Sequence, residues 1–298
     1  MAFRAGSYTR YEGPRSTKPS WWPLLTATLR RGMRSVWVKR ITGFSLLMAF
    51  GMMMFFYILN RVVPDWRNLT EQVGEMATGD SDGFRVDSRF YTYLLAVFVY
   101  PILLPLSLVF GSELVASDLK TNALESYFSR PITPFGYIVG RTLAYAGFLL
   151  AATLLPLLIV WCSDVLTAPI EHFHLVSHVP FGLAQSLILV SFVVALMVQA
   201  AATFTRNAYG ANIVLGIFFV FFQALGEGLR DSSGSDNLLA LSFLHDVFVV
   251  CSSSLGIPQN LERDHMAPAG LAFAVVIGLG LLCFLYLWRT LKRRVLVG

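Results

Sequence analysis

The chain has 298 residues, 55% of them hydrophobic and 14% charged, with a formal net charge of +5. Soluble domains run near ~45–50% apolar and ~25% charged, so this balance, with a mean hydropathy of +0.62, excludes an ordinary soluble domain. The cations flank apolar runs, where anionic lipid headgroups would meet them, which argues for a membrane and against a nucleic-acid partner.

Residues 1–20 carry Arg4, Arg10, Arg15 and Lys18 among Pro and Ser and read as a tail. No apolar stretch follows Met1, so no signal peptide is expected and the N-terminus should stay in the cytoplasm. From Trp21 to Arg40 the pattern changes. Leu25, Leu29 and Met33 step by four, Val36 and Trp37 continue that face, and five cations are interleaved. This predicts an amphipathic helix lying at the interface, completing a basic N-terminal region over 1–40.

Residues 41–298 are expected to form one all-α, polytopic domain of six transmembrane helices. The apolar runs are Ile41–Val63, Phe90–Phe110, Phe135–Trp161, Val179–Thr203, Asn212–Leu229 and Pro268–Trp288. Backbone polar groups in lipid must be satisfied within the segment, so each run should be helical. Leu238–Val250 holds His245 and Asp246 and is short for a span. The outer segment of about 230–267 is therefore expected to be re-entrant or interfacial. With both termini inside, 17 of the 23 Lys and Arg fall in cytoplasmic segments, the positive-inside pattern of a multi-pass protein of the cell membrane.

Between the second and third spans lies Gly111–Arg141. Val115, Leu119, Ala123 and Tyr127 step by four, while Glu113, Asp118, Lys120 and Glu125 take other faces. An amphipathic cytoplasmic helix over about 112–130 is predicted, ended by Pro131 and Pro134. Arg141 should snorkel from the start of the third span.

In this stretch the chain resembles the ABC type-2 permease family, membrane subunits of ATP-binding-cassette exporters. The family pattern is an acid soon after the second span, then a helix, then Arg-Pro-Ile/Leu, then Gly-Lys entering the third span. Glu113, Ser129-Arg130-Pro131-Ile132 and Gly140-Arg141 match it, whereas Lys120-Thr121 stands in place of the family's Gly-Thr. The resemblance implies the type-2 exporter transmembrane fold and a coupling helix docking on a separate ATPase. Glu113, Leu119, Ala123, Tyr127, Arg130, Pro131 and Arg141 would serve that coupling. It also implies pairing with a second permease copy, identical or related, and a translocation route along the fifth span, where Gln223 and Glu227 share a face; the equal alternative is that Glu227 stands at the outer headgroup level, with Leu229 the last apolar residue between it and the charged loop. The chain contains no GxxxxGK[ST] motif. ATP and magnesium would therefore be used by the partner ATPase, with no cofactor bound here.

Other constellations are weaker. Glu171, His174 and His178 would share a face of an outer helix and could hold zinc or copper, but a single short helix rarely completes a metal shell. Solvated histidines in a polar interfacial loop are the favoured reading, and no metal site is assigned. Cys162 and Cys251 are both expected outside, where a disulfide is open to them. Gln199 is a candidate interhelical hydrogen-bond partner. No GxSxG, HExxH or comparable catalytic pattern occurs. The rival classes are a non-transporting membrane scaffold and, behind it, an intramembrane enzyme. Composition does not select a substrate.

Overall fold

The computed structural model describes residues 19, 21–63, 86–121, 123, 132–257 and 266–297, without the side chains of 114 and 294–297. Every regular element among them is helical. Six helices are long and apolar enough to cross a membrane, the architecture of an α-helical multi-pass membrane protein.

The chain opens with α1, Trp22–Arg34, and turns at the extended Ser35 into α2, Val36–Val62. Next is α3, Ser88–Leu106, capped by the Asp87 carboxylate on the Arg89 and Phe90 amides. Its helix does not end at Phe110. A π-turn over Ser107–Gly111 carries it into α4, Ser112–Lys120, so the second span and the first part of the helix expected over 112–130 form one body. The reason is local: Leu106, Gly111 and Ser112 all keep right-handed helical dihedrals, and neither Gly111 nor the inner Pro105 breaks the ladder.

The third span, α5, runs Pro134–Thr167 from a Thr133 cap. At 1.5 Å per residue it is about 51 Å long and projects beyond a hydrocarbon layer of ~30 Å. The short α6, Ile170–Val176, leads to α7, Val179–Thr205. Arg206, left-handed at φ 55°, ends α7, and the Asn207 side chain caps α8, Ala208–Ser233. A 3-10 turn, Asp236–Leu241, and α9, Phe243–Ser254, precede α10, Ala269–Val297. The helices alternate in direction. The end carrying α1, α4, the start of α5, the α7–α8 turn and the end of α10 is the basic end.

The fourth apolar window is the centre of the bundle, with 67% of it buried, against 17% for the first and fifth. Small and polar residues let the helices close up, as expected where lipid offers no hydrophobic drive between helices. The Ser45 hydroxyl donates to the Ala152 carbonyl at 2.6 Å, joining α2 to α5. Gln199 donates to Thr142 at 2.8 Å, joining α7 to α5. A Cβ on Gly182 would lie 2.6 Å from the Ser254 carbonyl oxygen, so only glycine lets α9 rest on α7 there.

The same logic sets the face that α1 turns to the bundle. Leu24, Thr28 and Gly32 are its buried line. A Cβ on Gly32 would sit 2.3 Å from the Phe148 ring of α5. Gly140 accepts the other end, lying against the Trp21 carbonyl and Leu24. Of the stripe expected to lie at the membrane interface, Leu25 and Leu29 are half-buried and Met33 and Trp37 are exposed. In lipid the large apolar side chains can face out, and the small ones mark the helix contact.

Candidate functional site

The densest polar cluster at the basic end joins three helices. Asp118 of α4 and Arg141 of α5 form a buried ion pair. The Tyr137 hydroxyl, one turn before Arg141, donates to Asp118 Oδ2 at 2.8 Å. Arg141 Nη1 donates to the Thr28 hydroxyl of α1 at 2.6 Å, and the Thr28 hydroxyl in turn donates to the Leu24 carbonyl at 2.8 Å. The guanidinium also lies 5.7 Å from the centre of the Tyr137 ring, a cation–π distance. Helical spacing explains the arrangement: Tyr137 and Arg141 are four apart and share one face of α5.

A second, exposed contact lies above it. Arg31 of α1 donates to Ser117 Oγ at 2.9 Å and reaches Glu113 Oε1 at 3.3 Å. Such an exposed pair contributes little stability, about 0–1 kcal/mol. The buried pair differs, since losing one partner strands a charge in a medium that cannot solvate it.

These positions revise several expectations. Arg141 does not snorkel; it is buried, because Asp118 and Thr28 give its guanidinium partners inside the bundle. Asp118, expected on a polar face, is the buried acid. Leu119 is buried in the chain's own bundle, where α4 packs on α7 and α8, and leaves little surface for another subunit. Ala123 is partly exposed. Glu113 is exposed and paired with α1. Tyr127, Arg130 and Pro131 lie outside the described residues. Sequence reasoning missed Thr28 and Asp118 as partners. The available signal was the Tyr137–Arg141 spacing beneath a helix carrying one acid per face.

On α8, Gln223 Nε2 donates to Glu227 Oε1 at 2.5 Å, and the Ser242 hydroxyl donates to Gln223 Oε1. This pair fastens α8 to the turn before α9, and Glu227 is exposed. Phe243 of α9 packs on Phe218 and Phe219 at the same junction.

At the opposite end a further cluster was not anticipated. Asp164 is fully buried and accepts from the Tyr91 hydroxyl at 2.8 Å, with His172 Nε2 also 2.8 Å from the same oxygen. The turn at Pro169 folds α6 back so that residues eight apart meet. Glu171, His174 and His178 are not brought together. His178 instead sits 2.8 Å from Ser88 Oγ and 3.2 Å from the Leu255 carbonyl. Among the described residues no group of three or more His, Cys, Asp or Glu could hold a metal. Cys162 and Cys251 are both free thiols, the first exposed and the second buried.

No protein-family model matches this sequence, and no curated protein matches it.

Proposed function

We propose that the chain is the membrane-spanning permease subunit of an ATP-binding-cassette exporter, driven by a separate ATPase. The observation that carries this reading is the α3–α4 helix: it runs unbroken from the far end of the bundle through the basic end, and Asp118 clamps it there to α5 and, through Arg141, to α1. A push applied just beyond Lys120 would move two spans and the surface helix together. That is what a coupling element requires, since a rigid segment turns a partner's rotation into a tilt of the spans.

In this reading the basic end is cytoplasmic, by the positive-inside bias, and the protein resides in the cell membrane. The docking surface comprises the exposed side of α4 around Glu113 and Lys120 and the segment through Ala123 toward Arg130. The fifth span, with Gln223 and Glu227, lines the route beside a second permease copy. ATP and magnesium belong to the ATPase. The scaffold reading remains the alternative. It shares the membrane topology and lacks transport.

The test is co-purification of the chain with its ATPase, then ATP turnover and transport in vesicles. Glu113→Ala is expected to leave the complex assembled while uncoupling hydrolysis from transport, because the exposed Arg31 contact is not needed for folding. Transport and coupling like the parent would remove Glu113 from the mechanism. If no ATPase accompanies the parent chain, the scaffold reading takes its place.

A further inference from the structure

Between them α7, α8 and α10 leave a groove of about 270 Å³. Ala200 and Phe204 of α7, Phe218 of α8, and Leu279, Cys283 and Tyr286 of α10 are among its walls. The groove lies toward the basic end. Phe204 is two residues before Arg206, where α7 stops, and Tyr286 is three before Arg289. From Leu279 to Tyr286 the α10 wall runs about 10 Å, some two thirds of one leaflet's ~15 Å of hydrocarbon.

At this end the three groove helices carry charge of one sign. Leu279, Cys283, Tyr286, Thr290 and Arg293 fall at i, i+4, i+7, i+11 and i+14, so the groove's line on α10 continues onto Arg293. Arg206, Arg289, Lys292 and Arg293 are exposed. None makes an ion pair among the described residues. No Asp or Glu occurs in 172–226 or in 265–298, the stretches that supply all three helices around the groove at this end. An apolar slot of this length whose α10 wall continues onto exposed cations, unpaired among the described residues, is complementary to a molecule with an apolar chain and an anionic head.

We propose that this groove binds one anionic phospholipid from the leaflet at the basic end. An acyl chain lies along Leu279, Cys283 and Tyr286, and the phosphate is held by Arg289 and Arg293, with Arg206 adding to the field. Ordinary flanking cations hold a diffuse layer of lipid; the slot adds a seat for one chain, and so a single retained molecule. The site stands independently of the exporter reading.

The experiment is native mass spectrometry of the full chain, purified in detergent after exposure to vesicles of equal phosphatidylglycerol and phosphatidylcholine. One phosphatidylglycerol should be retained in preference. Arg289→Gln and Arg293→Gln should each cut that preference about fivefold, the effect of ~1 kcal/mol per basic residue near an anionic surface. Ala200→Phe, which fills the slot, should abolish retention of either lipid, and Ala200→Leu is a milder filling that keeps the test if the larger one misfolds. Equal retention of the two lipids by the parent overturns the proposal. So does unchanged retention in both filled variants, which would mean adsorption to charge alone. A dimer of the parent that both filled variants convert to monomer, without loss of lipid, would assign the groove to a second copy instead.

Discussion

Asp118 and Arg141 stand on separate helices and bury their charged groups against each other, at 7% and 5% side-chain exposure. Tyr137 and Thr28 occupy further hydrogen-bonding positions of the pair. Breaking a buried pair from one side costs about 3–5 kcal/mol, whereas replacing both partners by apolar groups is often neutral. Arg141→Met is therefore expected to lower stability by that amount, and Asp118→Leu with Arg141→Met to recover most of it. Denaturant unfolding of the detergent-solubilised chain measures both. A double variant as unstable as the single one would mean that the charges are not coupled.

Gly182 offers a steric test. Its neighbour is the Ser254 carbonyl, backbone that cannot swing aside. Gly182→Ala should push α9 off α7 at a cost of about 1–3 kcal/mol, the usual range for overpacking. Gly216→Ala, where nothing lies within 4 Å, is the control and should be neutral or better. The thermal midpoints of the two variants should separate clearly.

Asp246 of α9 is fully buried, and neither of its carboxylate oxygens has a hydrogen-bond partner among the described residues. Burial pushes its carboxyl from an ordinary 3.8 up to about 8. Between those values the folded chain holds a proton that the unfolded chain has released. Its contribution to stability is whole below the lower value and is lost as pH rises through the upper one. Asp246→Asn should flatten the fall in stability between about pH 4 and pH 8. An unchanged pH profile would show that the carboxyl is not the titrating group.

Orientation can be read by thiol labelling. Thr121 and Ser233 are both exposed and belong to opposite ends of the bundle. In a background without the exposed Cys162, Ser233→Cys should react with an impermeant reagent on intact cells. Thr121→Cys should react only after the cells are opened. The reverse result would invert the topology.

The spans were legible in the sequence because lipid imposes long apolar runs, and each run has its helix. What escaped was which face of each helix meets a neighbour. Leu25, Leu29 and Met33 mark the apolar stripe of α1, yet its contact with the bundle runs through Thr28 and Gly32, which no apolar stripe announces. Periodicity reports apolarity, and in a bilayer apolarity does not separate lipid from protein. The polar clusters escaped for a second reason. Asp164 meets Tyr91, 73 positions earlier, and Arg141 meets Thr28, 113 positions earlier. No local pattern encodes such pairs. Gln199 was the exception, since a lone amide deep in an apolar run needs a partner on another helix.

The π-turn at Ser107–Gly111 sets the phase of everything after it. A π-turn amounts to one residue added to an α-helix, and each residue turns the helix by about 100°. Wound as plain α-helix, the same chain would present Asp118 about a quarter-circle away from Arg141. The close seat of Gly111 against Tyr145 and Val198 holds that extra residue in place. In the exporter proposed above, the five-residue turn would work like a clutch plate between the span and its extension. Wound this way, it would deliver rotation of one to the other with Asp118 in register, and a slip of one residue would disengage the two.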